Sequence, residues 1–207
     1  MTHSNSLDLI KRIKSLAETG LIYHETEYDK ERYEELLDIS LELLSKVTDQ
    51  PIATLNNFFM PASDYPTPKV DIRGFILNKA KEVLLVKEKL DGKWALPGGW
   101  GDIGFTPSEV ITKEIKEETG LDAKVIKLLA VYDKKCHPHP PQPFYVYKLV
   151  FLCETNEGSI QTSFDIEDAG YFRIDNLPEI SEDRILASQI LQLHDMVMGN
   201  SSDVYFD

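Results

Sequence analysis

The sequence has little cysteine, no long apolar run and no basic segment. Its two cysteines, Cys136 and Cys153, lack the spacing of metal ligands, so we expect free thiols rather than a disulfide or a zinc site. No apolar stretch approaches the ~20 residues that span a bilayer, and the N-terminus shows no basic segment followed by an apolar run. We therefore expect a cytoplasmic protein.

The shortage of positive charge argues against two classes of partner. The formal net charge is -13, whereas nucleic acids and anionic membrane surfaces are both bound by basic faces. We expect neither partner. An acidic protein can still bind a polyphosphate when a divalent cation neutralises both sides locally. The composition is therefore compatible with a small anionic ligand that binds together with a metal ion.

The first sixty residues predict a helical domain. Apolar residues recur at helical spacing over 7–16 and again over 33–44, and Gly20 is predicted to end the first helix. Two amphipathic helices alone would leave apolar faces exposed, so these helices need a further surface to pack on. We expect residues 1–60 to form a homodimer interface, with a lid on the same subunit as the alternative.

A proline-rich linker at 61–69 separates this region from a mixed α/β domain at 70–200. The linker contains three prolines, which cannot continue a helix. Residues 201–207 are interpreted as a tail. The predicted strands are 70–77, 82–86, 125–132, 144–153 and 171–174, and a closing helix is predicted from Ser181 to about Met198.

A glycine-rich loop followed by a helix is the most informative stretch. Four glycines between residues 98 and 104 allow the backbone to approach a ligand closely. Thr106 and Glu109 have the spacing of a capping box, with Pro107 at the first helical position. Gly120 predicts the end of the helix. The sequence therefore predicts a helix over 107–119 that begins directly after the loop.

This helix carries three carboxylates on one arc. At about 100° per residue, Glu114, Glu117 and Glu118 lie close together, and the first and last of them interrupt the apolar face. Carboxylates on a half-buried arc repel one another, and a hard divalent cation removes that penalty. The alternative is a solvated helix with pairs such as Lys113 with Glu117. In the context of the glycine loop, the pattern favours a metal site.

The stretch from Lys93 to Leu121 resembles the Nudix box. That pattern reads Gly, five residues, Glu, seven residues, Arg-Glu, an apolar residue, any residue, Glu-Glu, any residue, Gly and an apolar residue. Here Gly99 begins the pattern and all three helix carboxylates match it. Phe105 replaces the first Glu and Lys113 replaces the Arg. In the family those two residues are thought to pair and orient the loop, whereas here Phe105 is expected to hold the loop by packing.

The resemblance implies a fold, a metal and a reaction. It implies an α/β/α sandwich with a mixed sheet. It also implies an enzyme that hydrolyses a diphosphate bond with the help of Mg²⁺ or Mn²⁺. Glu114 and Glu118 would hold the metal, with Glu117 binding directly or through water and the Gly98 carbonyl as a further ligand. These three carboxylates are also the catalytic candidates. Proton acceptance is expected from Glu117 or from the acidic run at 165–168.

The chain as a whole resembles a bacterial branch of this family with a short helical N-terminal domain. Members of that branch are labelled ADP-ribose pyrophosphatase and, in some cases, CDP-choline pyrophosphatase. The expected substrate is therefore a small nucleoside diphosphate derivative. Two other functions stay open: a binding or regulatory module with weakened catalysis, and a nucleoside triphosphate pyrophosphohydrolase. Retention of all three carboxylates favours an enzyme, and the N-terminal domain favours the diphosphate derivative.

Four further residues are candidate substrate contacts. They are Arg73, Gly99, Trp94 and Trp100. A lone arginine in an apolar strand needs an anionic partner, which is either the diphosphate or Asp71 or Glu88 in a salt bridge. The two tryptophans flank the glycine loop, where their rings can stack on a base or pack in the core.

Overall fold

The chain forms two compact units in the computed structural model. The first comprises Met1–Pro68 with Pro141–Tyr145, and the second comprises Lys69–Pro140 with Val146–Asp207. The structure describes residues 6–56, 65–102, 104–156, 158–199 and 201–207. Residues 61–64 of the predicted linker therefore lie outside the described residues, and Lys69 already belongs to a strand. The division also differs from the predicted one because 141–145 joins the helical unit.

Helices form the first unit, as the sequence predicts. They are α1 (Ser6–Tyr23), α2 (Glu27–Thr48) and α3 (Ile52–Asn56). Thr26 caps α2 by accepting a hydrogen bond from the Asp29 backbone N–H at 3.1 Å. The core of the unit consists of Leu7, Ile10, Leu44 and Leu55. Within the described ranges, none of the helices combines the length and the apolar composition that a membrane span requires.

The prediction that Gly20 ends the first helix is wrong. Helix α1 continues to Tyr23, and a Cβ atom at position 20 would lie 2.4 Å from the ring of Tyr33 on α2. The absent side chain therefore allows the two helices to approach each other closely. Glycine has this second use besides helix termination.

Two sheets form the second unit. The first has the order β4-β1-β6-β5-β8 and is mixed, because β1 pairs with β6 in parallel and with β4 in antiparallel orientation. The second sheet has the antiparallel order β3-β2-β7. The strands are β1 (Lys69–Ile76), β2 (Val83–Glu88), β3 (Trp94–Ala95), β4 (Gly98–Trp100), β5 (Ala123–Asp133), β6 (Val146–Thr155), β7 (Ile166–Phe172) and β8 (Tyr205–Phe206).

Helices α4 (Pro107–Thr119) and α5 (Ala187–Met198) lie in different hydrophobic clusters of this unit. Along β1, Ile72 and Ile76 pack into the cluster that contains the apolar face of α4. Phe75 instead packs into the cluster that contains Ile190 and Leu193 of α5. Because alternate residues of a strand point to opposite faces, the two helices cover opposite sides of the sheet. This is the predicted α/β/α sandwich.

The end of the chain differs from the sequence interpretation in two places. The closing helix begins at Ala187 rather than Ser181, because Ser181 accepts backbone hydrogen bonds from Arg184 and Ile185 in a turn before the helix. Residues 201–207, interpreted as a tail, include β8, which pairs in parallel with Ala130 and Val131 of β5. The C-terminal segment therefore extends the mixed sheet.

Candidate active site

Helix α4 begins and ends where the sequence predicts. Thr106 is its N-cap, and the reciprocal hydrogen bonds between Thr106 and Glu109 complete a capping box. Gly120 closes the helix with a φ of 74° and donates its backbone N–H to the Lys116 carbonyl. These two ends fix the register of the helix, and the register decides which carboxylates face the core.

The three carboxylates of α4 differ in burial. The Glu118 residue is 6% exposed, and its Oε2 accepts a hydrogen bond of 2.8 Å from the Gly98 backbone N–H. Glu114 is half-buried and Glu117 is exposed. Burial raises the pKa of Glu118 to about 8, and burial together with the Glu117 charge raises the pKa of Glu114. Both inner carboxylates therefore bear an electrostatic cost that a cation would relieve.

The glycine loop lies directly against these carboxylates. At Gly98 the φ is +137°, and a Cβ atom would come within 2.0 Å of the Ile72 carbonyl oxygen. At Gly99 a Cβ atom would come within 2.9 Å of Glu114 Oε1. Larger residues at either position would displace the loop or the carboxylate. The glycines therefore bring loop backbone atoms to the inner carboxylates.

The donor set suits a hard divalent cation held by few protein ligands. Among the described residues, no three His, Cys, Asp or Glu side chains converge into a preformed metal cage. Mg²⁺ does not need one, because it keeps several waters and binds one or two carboxylates together with substrate phosphates. Glu114 and Glu118 provide two such carboxylates beside loop backbone. Their raised pKa values fit a site that a cation completes.

Arg73 forms the salt bridge that the sequence left open as an alternative. Its Nε donates to Asp71 Oδ1 at 2.9 Å, and its Nη1 donates to the Leu96 carbonyl at 3.0 Å. The residue is 6% exposed, so little of the guanidinium is accessible to a ligand. This arrangement favours a role in supporting the loop that follows Leu96 over a diphosphate contact.

The two tryptophans lie in different environments. Trp94 packs edge-on against Phe172, with ring centroids 4.5 Å apart, and belongs to the periphery of a core cluster. Trp100 is 49% exposed, and the Lys69 ammonium lies 5.4 Å from its ring centroid. Trp94 therefore packs in the core, whereas stacking of a ligand on Trp100 stays a prediction.

The acidic run at 165–168 was the alternative source of a general base. Its last three residues belong to strand β7 rather than to a solvated turn. Glu167 forms an ion pair with Lys87 at 2.8 Å on the neighbouring strand. A carboxylate in such a pair is less available as a base than the exposed Glu117.

Sequence reasoning missed a buried charged group behind the loop. Lys148 on β6 is 1% exposed and bonds Asp71, which it faces in the parallel register of β1 and β6. Lys134 is also buried and donates to the Asp183 carbonyl at 2.6 Å, and burial lowers its pKa to about 8. An available signal was the presence of the opposite charges Asp71 and Lys148 within two mainly apolar strands.

The fold and the site define a Nudix hydrolase, and the chain belongs to this family. The model of the NUDIX domain matches residues 67–193. A second model, described as "UDP-X-like, N-terminal oligomerisation domain", matches residues 4–59. Nudix hydrolases generally use divalent metal ions, typically Mg²⁺ or Mn²⁺. The helical first unit and the carboxylate-bearing second unit thus each have a counterpart among known proteins.

Three relatives resemble the chain over much of its length. A protein of Bacillus subtilis (strain 168) named "Putative ADP-ribose pyrophosphatase YjhB" is 38% identical over 97% of this chain and 96% of its own. A solved UDP-X diphosphatase is 36% identical and covers 97% of both chains with a TM-score of 0.64. A solved ADP-ribose pyrophosphatase from Streptococcus suis is 33% identical, covering 68% of this chain and 100% of its own, with a TM-score of 0.61.

Proposed function

We propose that this protein hydrolyses the diphosphate bond of a nucleoside diphosphate linked to another group, with ADP-ribose as the first candidate. The reaction depends on Mg²⁺ or Mn²⁺ and releases a nucleoside monophosphate. The observation that carries the proposal is the placement of Glu114 and Glu118 against the Gly98–Gly99 backbone. A buried and a half-buried carboxylate beside the backbone of a glycine loop are suited to a cation and a diphosphate together.

The residues of the site divide the work between metal binding and proton transfer. A bound divalent ion would neutralise the diphosphate charge and lower the pKa of a bound water. Glu114 and Glu118 would hold that ion, with the Gly98 carbonyl as a further ligand. Glu117 is exposed and forms no hydrogen bond or ion pair with any described residue, so its carboxylate is free to accept a proton. It takes the proton of the attacking water, directly or through a second water.

The names of the relatives support the choice of substrate class. One is named "Putative ADP-ribose pyrophosphatase YjhB", a second is called ADP-ribose pyrophosphatase and a third is called UDP-X diphosphatase. The branch that the sequence resembles adds CDP-choline. The decisive test measures nucleoside monophosphate release from ADP-ribose, UDP-linked sugars, CDP-choline and nucleoside triphosphates, with Mg²⁺ or Mn²⁺. We expect turnover of at least one diphosphate compound, and turnover of triphosphates alone would contradict the proposal.

The same panel separates an enzyme from a binding module. Substrate binding and metal binding are measured in parallel with turnover, for example by calorimetry. If the protein binds metal and nucleotide but turns over no compound, it is a binding module. The first variants to make would then be Phe105→Glu and Lys113→Arg, which restore the family pattern.

We also propose that the first unit forms a homodimer. Helix α2 exposes an apolar stripe at helical spacing. It consists of Leu36, Ile39, Leu43 and Val47, which are 42%, 45%, 37% and 49% exposed. The family model for this region describes an oligomerisation domain. An exposed apolar stripe on such a domain is typical of a surface that a second copy covers.

A double change in this stripe tests the dimer. The Ile39→Glu/Leu43→Glu variant places two charges in the proposed interface, and burying unpaired charges is costly. We expect its mass, measured by size-exclusion chromatography with light scattering, to fall from dimer to monomer. The matched control Glu35→Gln, at an exposed polar position of α2, keeps the dimer. A dimeric mass for the double variant would contradict the proposed interface.

A further inference from the structure

Lys113 has an ion-pair partner that the family pattern does not predict. Its Nζ lies 3.1 Å from Asp102 Oδ2, in the loop between β4 and α4. The same ammonium lies 5.6 Å from the centroid of the Phe105 ring, within cation–π distance. The sequence pattern, with Phe105 and Lys113 in place of Glu and Arg, suggested that this loop–helix contact had been lost. In the structure Asp102, three residues earlier in the loop, provides the carboxylate.

The position of Lys113 matters because two carboxylates of the proposed site lie near it on the same helix. It immediately precedes Glu114, and Glu117 lies one turn further along the same face, where residues four apart contact each other. A hydrogen bond from Lys113 to Asp102 and the charge of Glu117 raise the pKa of the lysine. The ammonium is therefore within the field of both carboxylates but is bonded to Asp102.

A lysine released from Asp102 has a ready alternative partner. Glu117 is exposed and makes no ion pair with any described residue. An ammonium paired with Glu117 would neutralise the charge of one carboxylate of the site and repel an incoming cation. The loop contact and the metal site thus compete for a single lysine.

We propose that Asp102 is a positioning residue that holds Lys113 away from the metal-binding carboxylates. Asp102 acts through the lysine and touches neither metal nor substrate. Phe105 supports the same lysine position with its ring, which gives an apolar residue at that point of the pattern a specific use. The inference rests on the proposed function, since it assumes that the α4 carboxylates bind a divalent cation.

A cycle of four full-length proteins tests this role without any substrate. The proteins are the wild type, Asp102→Asn, Lys113→Gln and the double variant, and Mn²⁺ affinity is measured on each by electron paramagnetic resonance. We expect Asp102→Asn to weaken Mn²⁺ binding about three- to fivefold, the scale of one exposed charge pair. Lys113→Gln is expected to bind Mn²⁺ as tightly as the wild type or more tightly, because a competing cation is gone.

The double variant decides between two explanations. If Asp102 acts by diverting the lysine, Asp102→Asn has no further effect once Lys113 is glutamine. Equal weakening in both backgrounds would mean that Asp102 contributes only its own negative charge, and this result would overturn the proposal. So would unchanged affinity in Asp102→Asn. Thermal melts of all four proteins verify that they are folded.

The readout also separates this inference from the proposed function. If the wild type binds Mn²⁺ and Asp102→Asn weakens binding equally in the wild-type and Lys113→Gln backgrounds, the role of Asp102 is refuted and the metal site is not. A wild type whose Mn²⁺ binding is unchanged by Glu118→Gln refutes the metal site itself. The corresponding kinetic result concerns the Mg²⁺ concentration that turnover requires. We expect this concentration to rise in Asp102→Asn and to return to the wild-type value in the double variant.

Discussion

Replacing Glu118 with glutamine is expected to lower diphosphate hydrolysis at least about 100-fold, the effect of removing one group that stabilises charge in the transition state. The fold should survive, because an amide oxygen can still accept the hydrogen bond from the Gly98 N–H. Burial raises the pKa of the Glu118 carboxyl to about 8, so the metal-free fold loses little when the ionisable group is replaced by a neutral one. Steady-state rates and Mn²⁺ affinity measure the effect.

This substitution separates a metal ligand from a structural acceptor. If Glu118 only anchored the glycine loop, glutamine would keep the anchor and the rate would stay near that of the wild type. Glu117→Gln is the matched comparison on the same helix: loss of the exposed carboxylate is expected to lower turnover, while Mn²⁺ binding weakens far less than in Glu118→Gln, by about the same few-fold factor as in Asp102→Asn. If Glu118→Gln hydrolysed the substrate at the wild-type rate, Glu118 would not be a metal ligand and the proposed function would lose its main support.

The sequence predicts the catalytic helix well because its signals are local. The capping box of Thr106 and Glu109 and the terminal Gly120 lie within the segment that they define, and the structure confirms both ends. With the ends fixed, the periodicity of the helix correctly indicates that Glu114 and Glu118 interrupt the apolar face. The helical first unit follows in the same way from periodic segments of ordinary length, whereas the mixed sheet is what the resemblance to the Nudix family implies.

The features that the sequence does not predict are non-local. The Lys113–Asp102 pair depends on how the loop folds over α4, and Gly20 depends on the approach of Tyr33 from another helix. Strand β8 is two residues long, too short to show the alternation that predicts a strand, and it forms through its partner β5. Each of these contacts is decided by packing between different secondary-structure elements or loops.

The charged group behind the glycine loop is the clearest non-local case, and it leads to the largest expected loss of stability. Asp71 is 4% exposed and is bonded to Arg73 on its own strand and to Lys148 on β6. Burial by itself raises the pKa of Asp71, but the charges of Arg73 and Lys148 outweigh it, so the pKa lies below its ordinary value. One carboxylate therefore balances two buried cations.

Asp71→Asn leaves both cations without their shared carboxylate, and breaking a buried ion pair in this way costs about 3–5 kcal/mol. Lys148→Met is the matched control: it keeps the Asp71–Arg73 pair and leaves no unpaired charge, so its cost is smaller. Denaturant unfolding near pH 7 measures both. Because the folded pKa of Asp71 is lowered, its contribution is present above the ordinary value of 3.8 and is lost as the pH falls through the folded pKa. Equal losses in the two variants would show that packing, rather than charge balance, holds this layer together.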